Sequence, residues 1–169
     1  MNALRSFSQD DDVSERDSFS LADAVQKALS LCDQRMKDRG IQLQLDLDTR
    51  SYQVMGSEAR SMEVILMLLD NAIDILDEVP EKKIVVHLKK RDSSSGSRVR
   101  LTIQDSGPGV PPDLQTHLFQ PFFTTRPVGE GAGLSLSRSH GIVQSMQGEL
   151  SYERREGHTH FIIDLPLAA

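Results

Sequence analysis

The sequence predicts an α+β fold, a two-layer α/β sandwich in which a mixed, mostly antiparallel sheet packs on about three helices. Three observations predict it. Residues 21–39 and 58–78 carry apolar side chains at helical spacing. Two pairs of alternating segments, 84–88 with 99–103 and 150–154 with 161–165, are each joined by a short polar turn and read as hairpins with antiparallel strands. A third helical stretch, 134–147, lies between the hairpins, so helices and strands do not alternate one by one and a doubly wound parallel sheet is excluded.

Taken in order, residues 1–12 begin with Leu4 and Phe7 and run into Asp10, Asp11 and Asp12, a composition that favours a short helix fading into an exposed linker. The domain proper is expected over 19–169, with 1–18 set apart from it. Ser20 can cap the first helix with Asp23 as its capping-box partner, while Leu21, Val25, Ala28, Cys32 and Met36 form one stripe and Gly40 ends it. Ile41, Leu43, Leu45 and Leu47 alternate with polar residues as a strand, and residues 52–55 make a second short one. Ser57 can cap the next helix, where Met62, Ile65, Leu66, Leu69, Ile73 and Leu76 recur at helical spacing and Pro80 follows the end. Between the first hairpin and the last helix lie about 25 residues rich in Gly, Pro and Phe. This is longer than an ordinary connection and predicts a functional or mobile loop.

The bulk properties exclude several classes. A length of 169 residues suits one domain. A formal charge of -6 opposes nucleic-acid binding, whose footprint is basic. Cys32 stands alone, which excludes a disulfide framework or a cysteine metal site and fits a reducing, cytoplasmic compartment. No run approaches the roughly 18 apolar residues of a membrane span, so no membrane contact by this chain is expected.

Four short segments carry candidate chemistry. Asn71, in LLDNAIDIL, sits mid-helix in an apolar run where an unpaired amide is costly if buried. It reads as an oxygen ligand for Mg²⁺, or as a surface asparagine; Asp74, one turn on, reads as its neighbour or as a solvated charge. Asp105 ends an apolar strand and opens DSGPG, where Gly107 and Gly109 permit a tight turn close to a flat ligand and the carboxylate can accept from an exocyclic amine. In LFQPFFTTRPVG, residues 118–129, Arg126 reads as a phosphate clamp or a surface charge. Gly131 and Gly133 precede a helix whose free N–H groups can cradle phosphate.

In that order these segments resemble the N, G1, F and G2 boxes of the ATP-binding catalytic domain of bacterial sensor histidine kinases, over nearly the whole chain from Phe19 to Pro166. The resemblance implies the Bergerat fold, with ATP held under a mobile lid at about residues 107–132 and Mg²⁺ as the cofactor ion. It implies Asn71 for Mg²⁺, with Asp74 beside it; Asp105 for the adenine amine; and Gly107, Gly109 and Val110 for the pocket floor. It further implies Phe119, Phe122 and Phe123 as lid anchors and Thr125 and Arg126 near the phosphates. Gly131, Ala132, Gly133, Leu134 and Ser135 would line the triphosphate, and Thr159 would reach adenine, often through water. Catalytic roles fall to Asn71 and Arg126.

Two positions depart from the family pattern. Met67 stands where these kinases usually have a second Asn, and Ser135 replaces the last glycine of G-x-G-L-G. Methionine binds Mg²⁺ poorly. None of His87, His117, His140, His158 or His160 has the context of a phosphoacceptor, so the resemblance puts that histidine on a dimerisation domain outside this chain, with a response regulator receiver domain downstream. The opening LRSFSQ resembles the end of the second dimerisation helix, and without those helices a monomer is expected. Alternatives are a nucleotide-binding regulatory module with weak or no kinase activity, or a serine kinase of the anti-sigma-factor type.

Overall fold

Two sheets organise the described residues: five strands in the order β2-β4-β5-β7-β6 and a small pair β1-β3. The computed structural model describes residues 17–48, 50–94, 96–124 and 133–169. Its elements are β1 (Asp17–Ser20), α1 (Leu21–Asp38), β2 (Gln42–Leu47), β3 (Gln53–Gly56), α2 (Glu58–Ile75) and β4 (Lys83–Ser93). These are followed by β5 (Gly96–Asp105), α3 (Pro112–Gln115), α4 (Ser135–Ser145), β6 (Glu149–Arg155) and β7 (His158–Pro166). Only the β2-β4 pairing is parallel in the large sheet, so it is mixed and mostly antiparallel as expected.

The helices start where their caps dictate. The Ser20 hydroxyl accepts from the Asp23 N–H at 3.3 Å and that of Ser57 from the Arg60 N–H at 3.4 Å, so each helix begins one residue after its serine. The second helix ends three residues early, at Ile75, and tightens into a 3-10 turn, Leu76–Glu78. One short strand escaped the sequence reading. β1 pairs Asp17 with Gly56 and Ser20 with Gln53, so a strand precedes the first helix; four residues carry too little alternation to be seen.

Alternation sorts the large sheet into two faces. Ile84, Val86 and Leu88, then Val99, Leu101 and Ile103, then Phe161, Ile163 and Leu165 share a core with buried side chains of α1, α2 and α4. Arg98, Arg100, Thr102 and Asp164 point the other way, where Arg100 grips Asp164 with bonds of 3.0 and 2.6 Å. At the edge, Leu43 and Leu45 face the core side by register yet are 36% and 48% exposed, because among the described residues no strand pairs with β2 on the side away from β4.

This arrangement brings the C-terminal end of β5 to the start of β7 and beside the last turn of α2. Those three ends frame the site.

Candidate ATP-binding site

Asp105 is the last residue of β5 and is 3% exposed. Its Oδ1 accepts from the Gly107 N–H at 2.8 Å, and the carboxylate accepts from the Thr159 hydroxyl, directly opposite it on β7. Burial outweighs these two bonds and pushes the carboxyl up to about 6. A buried carboxylate with so few partners has acceptor capacity left for a ligand's N–H.

The turn after Asp105 is pinned at both ends. Ser106 Oγ accepts from the Lys83 N–H at 2.9 Å and donates to Glu81 O at 2.6 Å. At the far end the Val110 N–H donates to Tyr152 Oη at 2.6 Å, and its carbonyl accepts from Gln115 Nε2 at 2.9 Å. The glycines are required by protein contacts. A Cβ on Gly107 would lie 2.7 Å from Asp105 Oδ1 and 3.1 Å from Ile75. Gly109 has φ +72, and a Cβ there would meet Tyr152 Oη at 2.8 Å. A wall of protein atoms is by itself reason enough for these glycines.

On α2, Asn71 lies one turn from Met67 and one from Ile75 and is half-buried. Met67 Sδ accepts from the Ser139 hydroxyl at 3.2 Å, and Met146 Sδ accepts from Ser61 at 3.3 Å, so two serine-methionine pairs bind α2 to α4. The residue that departs from the kinase pattern is thus part of the helix-helix seam. Asp74, one turn on from Asn71, is ion-paired: its Oδ1 lies 3.3 Å from Arg39 and 3.9 Å from Arg35.

The loop leading to α4 is partly built of turns, with α3 followed by bends through Phe122. Phe119 stacks on His140 of α4 with centroids 5.2 Å apart, and Phe123 tilts against His117 at 5.9 Å. Phe122 is 76% exposed, at φ +66. Gly133 closes onto this segment: a Cβ there would lie 2.6 Å from Phe123 O, so this glycine seats on the phenylalanine segment. Leu134 and Ser135 follow, exposed, at the start of α4. Thr125, Arg126, Gly131 and Ala132 lie outside the described residues.

Sequence reasoning missed Tyr152, Gln115 and Ser139. The alternation Leu150, Tyr152, Arg154 put Tyr152 on the core-facing side of its strand, but its partner lies 42 positions away.

A carboxylate at a strand end, a glycine turn beside it and a helix N-terminus across a loop define a nucleotide-binding α/β sandwich. The chain belongs to the family of histidine kinase-, DNA gyrase B- and HSP90-like ATPases, whose model matches residues 56–169, and within it is the ATP-binding catalytic domain of a bacterial sensor histidine kinase. It is 34% identical over 147 residues to the two-component sensor PprA of Pseudomonas aeruginosa, covering 86% of this chain and 16% of the relative. It is 31% identical over 135 residues to the sensory histidine kinase/phosphatase NtrB of Vibrio alginolyticus, covering 76% and 38%. This chain thus spans well under half the length of these curated relatives. Among solved structures, the mycobacterial sensor histidine kinase MprB matches with TM-score 0.76 and 25% identity over 90% of this chain and 97% of that one. The catalytic domain of histidine kinase ThkA matches with TM-score 0.74 and 26% identity, over 90% and 97%.

Proposed function

We propose that the chain binds ATP with Mg²⁺ and passes the γ-phosphoryl to a histidine on a dimerisation domain outside it, as the catalytic part of a cytoplasmic phosphorelay that ends on a response regulator receiver domain. The observation that carries the site assignment is Asp105, buried, ringed by the glycine turn and Thr159, with acceptor capacity left over. Its ionised carboxylate accepts from the adenine 6-amino group, and guanine, which offers a carbonyl there, is refused. Asn71 supplies an amide oxygen to Mg²⁺, which when bound neutralises phosphate charge. The N-terminal turn of α4 offers backbone N–H groups to the phosphates, joined by Arg126. The protein's share of the reaction is alignment and charge, while the external imidazole attacks in line. ThkA has been crystallised with response regulator protein TrrA, which supports a receiver domain as partner.

Calorimetric titration with ATP, with and without Mg²⁺, tests the reading, followed by transfer to a supplied dimerisation domain. Binding that requires Asp105 and strengthens with Mg²⁺ supports it; no binding at millimolar ATP overturns it. A second reading, nucleotide binding with weak transfer, is favoured by Met67, whose sulfur is committed to Ser139. ATP binding without phosphoryl transfer distinguishes the two.

A further inference from the structure

The glycine turn cannot hold its own shape at its far end. Between Ser106 and Val110 it offers only Gly107, Pro108 and Gly109, none of which has a side chain that hydrogen-bonds. What fixes it comes from β6, beside the Gln115 bond to the Val110 carbonyl. The Val110 N–H donates to Tyr152 Oη at 2.6 Å, and Gly109 rests against the same oxygen and the aliphatic stem of Arg154, which a Cβ would meet at 2.8 and 3.1 Å. Tyr152 is held in turn. Its ring stands edge-on to Phe161, its register partner, with centroids 5.4 Å apart, and Phe161 belongs to the core. Phe161 lies two residues beyond Thr159, which grips Asp105. The β6-β7 pair therefore holds the turn at both ends, through Thr159 at Asp105 and through Tyr152 at Val110.

We propose that Tyr152 is a positioning residue of the nucleotide site, its hydroxyl setting the depth of the glycine turn under the base and the point from which the loop through Gln115 departs. The inference rests on the ATP reading above. Tyr152 acts through Val110 at the base end, so its hydroxyl affects every adenine nucleotide alike and leaves the metal-dependent part of binding untouched.

The test is Tyr152→Phe, which removes the hydroxyl and keeps the ring on Phe161. Amide exchange by NMR and calorimetry with ATP and ADP are read together. The Val110 amide is expected to exchange at least about tenfold faster, with the amides of Leu150 and Ile163 unchanged and the melting temperature lowered by no more than about 4 °C, the shift that one lost hydrogen bond produces. ATP and ADP both weaken about three- to tenfold, the factor corresponding to one neutral hydrogen bond, while the gain in affinity on adding Mg²⁺ stays the same. Unchanged nucleotide affinity overturns the proposal. So does a general rise in exchange across β6 and β7, which marks Tyr152 as packing alone. A wild-type domain that binds no nucleotide overturns the ATP reading itself, whereas binding by the wild type with unaltered Tyr152→Phe overturns only this inference.

Discussion

The Thr159 hydroxyl donates to the Asp105 carboxylate across the β5-β7 pair, where the two residues face each other in register and both are buried. A carboxylate kept in so dry a place costs stability in the empty domain, and that cost is recovered when a ligand supplies the missing donors.

The first prediction concerns that cost. The folded carboxyl titrates near 6 against 3.8 for the ordinary group, so the native state holds the proton more tightly and stability falls as pH rises from about 4 through 6. Above 6 the penalty is complete, at about 3 kcal/mol for a shift of about two units. Asp105→Asn is therefore expected to stabilise the empty domain at pH 7 by about 1–3 kcal/mol while ATP affinity falls at least about tenfold. Urea unfolding and calorimetry on one sample check both. A destabilised variant refutes the account of burial.

The same carboxyl makes base recognition pH-dependent. Only the ionised form is a pure acceptor, so adenosine, which has no phosphate to titrate, should bind about tenfold more weakly at pH 5 than at pH 7.5. Asp105→Asn should flatten the profile. A slope that survives in the variant assigns the titration to another group.

At Asn71 the expected change is in metal dependence. Asn71→Ala should lose most of the strengthening that Mg²⁺ confers on ATP and leave metal-free binding within about twofold. Calorimetry at two Mg²⁺ concentrations reads it, and equal losses with and without the ion would show that Asn71 serves the fold instead.

Met67 separates packing from catalysis. Met67→Asn should cost about 1–2 kcal/mol of stability by disturbing the seam with Ser139 and should raise the effect of Mg²⁺ on ATP binding. Thermal melts and titrations report the two effects independently. An unchanged Mg²⁺ effect would mean that the position has no part in metal binding.

Much of this was legible in the chain. Both helix starts were written in Ser20 and Ser57, and the first hairpin in the alternation of Ile84, Val86 and Leu88 with Val99, Leu101 and Ile103, because caps and alternation are local. The ion pairs of Asp74 with Arg35 and Arg39 were not legible for the opposite reason: those residues lie on a separate segment, whose place beside α2 helical spacing does not encode.

By itself, then, the sequence determined the α+β sandwich, the order of its elements apart from β1 and α3, and the short segments that could hold a nucleotide, since each depends on neighbours a few residues apart. Only the tertiary structure decided that Asp105 is buried against Thr159, that Met67 joins Ser139 in a helix seam, and that Tyr152 reaches across to Val110. Those contacts span tens of residues. They depend on strand register and helix packing, which no local pattern encodes.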